Sequence, residues 1–171
     1  MNTTALTIPL ALCVPLHTPP ATYDVRIIVS SKGDYAFNKS VHVSFVVGIV
    51  GAVDVTVTPE GWIYALPSTV VTCTVTLANR GNTEDRYILN ITSANNWCIE
   101  PSTDITPHIS PKETFTFVID VHVPPISIVA LVDTTDVIRI HVHSAKFSVL
   151  CVEKYVYIRL RQAYNASLIL N

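Results

Sequence analysis

The side chains best suited to chemistry are six histidines, four cysteines and a handful of carboxylates, and their spacing argues against most of it. His141 and His143 stand two apart, which puts both imidazoles on one face of a strand, an arrangement that can grip a metal ion. Asp120 and His122 repeat that spacing elsewhere, but in a sandwich the two segments fall in opposite sheets, so four ligands do not converge. No metal site and no cofactor are expected. Cys13, Cys73, Cys98 and Cys151 lack the spacing of a zinc-ligand set. Alternation turns Cys73 inward and Cys13 and Cys98 outward, which argues against a Cys73–Cys98 bridge. Glu84 and Asp85 are adjacent on an extended segment and point to opposite faces, so they read as solubilising charges beside a turn. No nucleophile elbow, phosphate-binding loop or His-Glu-x-x-His motif is present, and the chain is not expected to be an enzyme.

What remains is recognition and modification. Trp62, Tyr64, Tyr155 and Tyr157 are the candidates for a binding face, since carbohydrate sites are built on exposed aromatic rings. A planar cluster would favour binding, whereas rings distributed into the core would favour a scaffold. Asn-x-Ser/Thr sequons begin at Asn2, Asn38, Asn90 and Asn165, a mild excess for nine asparagines, and point to N-glycosylation of an exported protein. Asn90 falls on the outward side of its strand and Asn38 near a hairpin tip.

The elements that must position these residues are strands. Charged residues make up 14% of the 171, well below the roughly 25% of ordinary soluble domains, while the apolar fraction is 49%. Valine, isoleucine and threonine together form roughly a third of the chain, the β-branched signature of sheets. Eleven prolines and five glycines suit extended segments and turns. A net charge of −2 with no basic stripe gives no reason to expect nucleic acid. The longest charge-free apolar run, 43–53, is about half of what a membrane helix needs, so no membrane span is expected. Residues 6–16 (LTIPLALCVPL) resemble a leader's apolar region, but no Lys or Arg precedes them. Leu6, Ile8, Leu10, Leu12, Val14 and Leu16 alternate strictly, which predicts a strand instead.

An internal repeat organises the chain. Residues 10–20 (LALCVPLHTPP) align with 115–125 (FTFVIDVHVPP), matching His17 with His122, Pro19 with Pro124 and Pro20 with Pro125. Residues 23–47 then align without a gap on 136–160, matching Ile27 with Ile140, Val29 with Val142, Ser31 with Ser144 and Val43 with Val156. The difference between the two offsets is a longer loop after Pro125. The expected domains are the C-terminal half of a repeat at 1–51, a complete repeat at 52–160, and the first strand of another at 161–171. Inside the complete repeat, alternation predicts seven strands. It turns inward Val53, Val55 and Val57; Val71, Cys73, Val75 and Leu77; Tyr87, Leu89 and Ile91; Phe115, Phe117, Ile119 and Val121; Ile138, Ile140 and Val142; and Val156, Ile158 and Leu160. Trp97 is expected in the core on a short crossing segment that also holds Ile99 and Ile105. Asn79-Arg80-Gly81-Asn82 is a turn in which Gly81 or an Asn can take positive φ. Seven short strands in about 110 residues predict an immunoglobulin-like antiparallel β-sandwich.

The run 75–89 (VTLANRGNTEDRYIL), Trp97, the turn Pro111-Lys112-Glu113-Thr114, the step Val123-Pro124 and the strand end at 140–144 together resemble the Ig-like domains first noted beside alpha-galactosidases. These recur in tandem in archaeal and bacterial surface proteins. Arg80 departs from the family's small polar residue and Lys112 from its Gly. The resemblance implies a sandwich fold and no catalytic residues. The expected function is a non-catalytic extracellular or cell-surface structural module: stalk, spacer or adhesion scaffold. The alternatives are a carbohydrate- or protein-binding accessory module of a larger secreted enzyme, and a filament subunit assembling by strand donation. Expected partners are neighbouring repeats, other copies of the chain, a surface protein or a glycan.

Overall fold

The structure is a computed structural model that describes residues 7–34, 36–100, 105–125 and 134–161. The sequons at Asn2 and Asn165, the loop 126–133 and the expected strand after 161 lie outside these residues. The chain divides into two compact units, Met1–Ile49 and Val50–Asn171.

The first unit holds an antiparallel hairpin of β1 (Ala21–Ser30) and β2 (Asn38–Val47). The strand expected over 6–16 is not there: its described residues are irregular, and Ile8, Leu10, Leu12, Val14 and Leu16 are exposed. Pro9 and Pro15 remove two amide donors, and alternation without a neighbour to bond does not make a strand.

The second unit is built from β3 (Val53–Thr58), β4 (Trp62–Ala65), β5 (Val70–Asn79), β6 (Tyr87–Ser93), β7 (Cys98–Glu100), β8 (Thr114–His122), β9 (Thr135–Ser144) and β10 (Cys151–Leu160). One sheet has the order β3-β5-β8-β7 and the other β4-β10-β9-β6. That is the strand arrangement of an immunoglobulin-like sandwich. All pairings are antiparallel except β4 with β10. The eighth strand, β4, is one that alternation does not pick out, since Trp62–Ala65 is only four residues long.

The two inner faces share one core. Cys73, Val75, Leu77, Tyr87, Ile119, Val121, Ile138, Ile140, Val142 and Ile158 are fully enclosed, and Trp97 is buried with them. Phe115 and Phe117 pack on its margin, half-buried, with ring centroids 6.3 Å apart. Ile105 is exposed, and Ile109, which pairs with Asp85, takes a core position instead.

Polar residues hold the connections. Asp85 is buried, not a surface charge: its carboxylate accepts bonds from Ser144 Oγ at 2.5 Å and from the Arg86 amide at 2.7 Å. Asn79, also buried, donates to the carbonyls of Thr83 and Ile109 and accepts from the Gly81 amide. In this turn neither Gly81 nor an Asn takes positive φ. Glycine is required at Gly81 for closeness, because a Cβ there would stand 2.5 Å from the Val50 carbonyl oxygen. Positive φ falls at Lys112 instead, at 72°, in the turn where the resembled family has glycine.

Candidate functional site

The outer face of the β4-β10-β9-β6 sheet gathers most of the chain's unusual side chains. Burial of Ile138, Ile140 and Val142 forces Arg139, His141 and His143 outward; burial of Val156, Ile158 and Leu160 does the same for Glu153, Tyr155, Tyr157 and Arg159. On β4, Ile63 and Ala65 face the core and leave Trp62 and Tyr64 outside. Strand pairing then sets the neighbours: Arg139 lies opposite Tyr155, Trp62 opposite Tyr157, and Tyr64 opposite Arg159.

All four candidate aromatics therefore stand on one face. Trp62 is 55% exposed, Tyr64 50%, Tyr155 48% and Tyr157 37%. The Trp62 and Tyr157 rings meet at 5.1 Å, tilted by 38°. The Arg161 guanidinium lies 4.3 Å from the centre of the Tyr64 ring, a cation–π contact. Next to the rings, Glu153 accepts from Tyr155 OH at 2.5 Å and from Arg139 Nη2. The Arg139 bond, then the Tyr155 bond, hold the Glu153 carboxyl down to about 2, and the same partnership raises the pKa of Arg139 and of Tyr155. Sequence reading named the four rings but missed the Arg139–Glu153–Tyr155 network. The signal was there in the alternation of both strands, but the pairing register is needed to bring Arg139 beside Glu153.

His141 and His143 share this face, with ring centroids 5.5 Å apart, and lie across from Glu153 and Cys151. His143 Nδ1 is buried without a hydrogen-bond partner. Among the described residues no group of three or more His, Cys, Asp or Glu is arranged to hold a metal ion. Asp120 and His122 lie on β8 in the other sheet; Asp120 accepts from Thr72 Oγ1 at 2.7 Å, and His122 Nε2 is 3.7 Å from Glu100. Glu84 is exposed and pairs with His108 at 2.7 Å.

Cys13, Cys98 and Cys151 are exposed and Cys73 is buried; all four are free thiols. Burial, aided by Asp120, pushes the Cys73 thiol up to about 11. Asn38 opens β2 and Asn90 lies in the middle of edge strand β6, both exposed. A cleft of about 430 Å³ opens between the edges of β3 and β10, lined by Val53, Val55, Val152 and Lys154 among others. Lys154 places a charge at that edge, which discourages strand addition. No helix of the described residues is long and apolar enough to cross a membrane.

No protein-family model matches this chain, and no curated protein sequence does. Among solved structures, WR4, a Caenorhabditis elegans MSP family member, aligns at 15% identity over 62% of this chain and 96% of its own, with a TM-score of 0.39. A PapD-like domain of human CEP192 aligns at 9% identity over 67% and 87%, with a TM-score of 0.40. The secreted serine protease VesC from Vibrio cholerae aligns at 10% identity over 62% of this chain but only 23% of its own, with a TM-score of 0.39.

Proposed function

We propose that this chain belongs to a tandem array of Ig-like repeats on a secreted or cell-surface protein, of the type found beside alpha-galactosidases, where it serves as a non-catalytic stalk, spacer or adhesion scaffold. The observation that supports this reading is the likeness of two hairpins. In β1–β2, Val25 pairs with Val43 and Ile27 with Val41; in β9–β10 their sequence counterparts pair in the same register, Ile138 with Val156 and Ile140 with Lys154. The closing bonds are duplicated too. The Ser31 amide donates to the Phe37 carbonyl at 3.0 Å, and its counterpart Ser144 to Leu150 at 2.9 Å. Ser31 Oγ accepts from the amides of Gly33 and Asp34, and Ser144 Oγ from those of Lys146 and Phe147. A shared register, loop closure and serine are the expected traces of one unit used twice.

Surface exposure of the parent protein is tested by labelling intact cells with a membrane-impermeant reagent and mapping label and glycan by mass spectrometry. Labelled protein carrying a glycan at Asn38 or Asn90 is the expected result. Protein that labels only after lysis and carries no glycan at either site would sink the extracellular assignment.

The strand-donor reading has less support. The strand that 166–170 matches by the repeat is β3, which pairs with β5, and the described residues of the first unit hold no counterpart of β5. A binding role is favoured by a different observation, the four exposed rings on one face.

A further inference from the structure

We propose that the free stretch of β10, residues 151–155, takes up an extended acidic segment of another protein as an added strand, with Lys154 reading one carboxylate on it. The site belongs to the second unit alone, so it does not depend on whether that unit is one of an array.

The backbone defines the opening. The Leu160 amide donates to the Thr134 carbonyl and the Ser144 amide to that of Leu150, which fixes the alternation: Val152, Lys154 and Val156 bond toward β9. The amides and carbonyls of Cys151, Glu153 and Tyr155 therefore point the other way. β4 covers β10 only from Tyr157 to Leu160, and no other described strand pairs on that side. Three amides and three carbonyls are thus set out in a row, a template for one more strand. Other edges of the sandwich offer less: β6 is bridged at Ile88 to Ile105, and β7 has only three residues. The edge of β3 faces the same cleft as this stretch of β10.

The side chains say what that strand must carry. Lys154 falls on the side of β10 that holds half-buried Val152 and buried Val156, and its counterpart in β1–β2 is Val41. A cation thus stands at an inward position, where with Val152, Val53 and Val55 it lines the cleft of about 430 Å³. The carboxylates nearby leave it unpaired. Asp54 is held by Arg80 at 2.9 Å, and Glu153 by Arg139 on the outer face. Glu60 shares an adjoining pocket of about 180 Å³ with Lys154, but no ion pair among the described residues joins the two. An inward charge at an open edge repels an apolar strand. It repels a second copy of this edge as well, since the copy brings its own Lys154. A strand with a carboxylate facing Lys154, and valines two residues to either side, meets both the charge and the apolar walls. The charge that discourages strand addition in general thereby admits one kind of strand.

The test uses the 171-residue protein and capped heptapeptides: Ser-Val-Thr-Glu-Thr-Val-Ser and its forms with Asp, Val or Lys at the centre. Binding is followed by calorimetry and by amide exchange. The expected result is saturable binding of the Glu or Asp peptide with Kd below about 1 mM. It should be at least about tenfold weaker for the Val and Lys peptides, and weakened by added salt. Binding should slow exchange at Cys151, Glu153 and Tyr155 and leave the Val152 and Lys154 amides, already bonded toward β9, as they were. Lys154→Val should abolish the preference for the acidic peptides, and Lys154→Glu should transfer it to the Lys peptide. The second variant keeps a charge at the edge, so it serves where the first self-associates. No saturable binding of either acidic peptide, equal binding of the Val peptide, protection that misses those three amides, or a preference unchanged in Lys154→Glu would overturn the proposal. A lysine that only guards the edge gives the first of those outcomes.

Discussion

The β1–β2 and β9–β10 hairpins share register, turn and several residues, yet differ in almost everything that determines stability. In β9 every second side chain from Asp136 to Ser144 is buried; in β1 the counterparts Tyr23, Val25 and Ile27 are half-exposed and Val29 is exposed. β9 lies between β10 and β6, and β10 between β9 and β4 over part of its length; among the described residues, β1 and β2 form a two-stranded sheet with each other. The lesson is that register and turn are written locally, by alternation and by one serine, whereas burial is conferred by neighbouring strands. Two strands alone are marginal in water.

The comparison is most easily broken by amide exchange. Amides of Ile140 and Val142 should open only with the whole sandwich, at about 5–15 kcal/mol. Those of Ile27 and Val29 should exchange near the rate of an unfolded chain. Comparable protection in the two hairpins would show that β1–β2 is covered by something, and its openness would have to be abandoned.

A matched pair of substitutions sharpens the point at one side chain. Ile140 is fully buried, and Ile140→Ala should cost about 2–5 kcal/mol in a denaturant titration. Ile27→Ala, the same change at the counterpart, should move the midpoint by no more than about 0.5 kcal/mol. Equal effects would mean that the two residues share an environment.

Much of this was readable beforehand, and the misses share a cause. Alternation placed the inner face of nearly every strand, including the burial of Trp97 and the outward turn of Cys98, because a two-residue period leaves little choice once one face is apolar. It failed at 6–16, where the period is clean but no described strand pairs with the described residues of the segment. It missed β4, which is too short to show a period. Asp85 was misread because its acceptor role depends on Ser144, far away in sequence. The turn at 79–82 suggests positive φ at Gly81 or an Asn, but neither takes it, and the constraint on Gly81 is the approach of Val50. The aromatic face was half-legible: residue types named Trp62, Tyr64, Tyr155 and Tyr157, but only the pairing of β4 with β10 sets Trp62 against Tyr157.

Ser31 and Ser144 offer a smaller contrast. Both hydroxyls accept two turn amides, but Ser144 also donates to buried Asp85. Ser144→Ala leaves a buried carboxylate oxygen without that donor and should cost about 1–3 kcal/mol. Ser31→Ala removes only exposed turn bonds and should stay within about 0.5 kcal/mol. If the two serines cost the same, the bond to Asp85 adds nothing and the turn alone sets the value.

The smallest effect concerns Arg139 and its counterpart Arg26. Arg139 has Tyr155 opposite and Glu153 beside it; Arg26 has His42 opposite, and Ser40 stands where Glu153 would be. The lowered pKa belongs to the second hairpin, where the Arg139 bond is the largest cause. A carboxyl whose folded pKa lies below its unfolded one stabilises the fold above the unfolded value, roughly pH 4.3. That contribution is lost as pH falls toward the folded value of about 2. Because Glu153 lies on the solvent-facing side, water and salt screen the pairing, and the titration itself is a better readout than the melting point. The Glu153 carboxyl resonance should titrate at about 2 in the native protein and move up toward the ordinary glutamate value in Arg139→Gln. A native midpoint already at the ordinary value would mean that the Arg139–Glu153–Tyr155 network does not persist in solution.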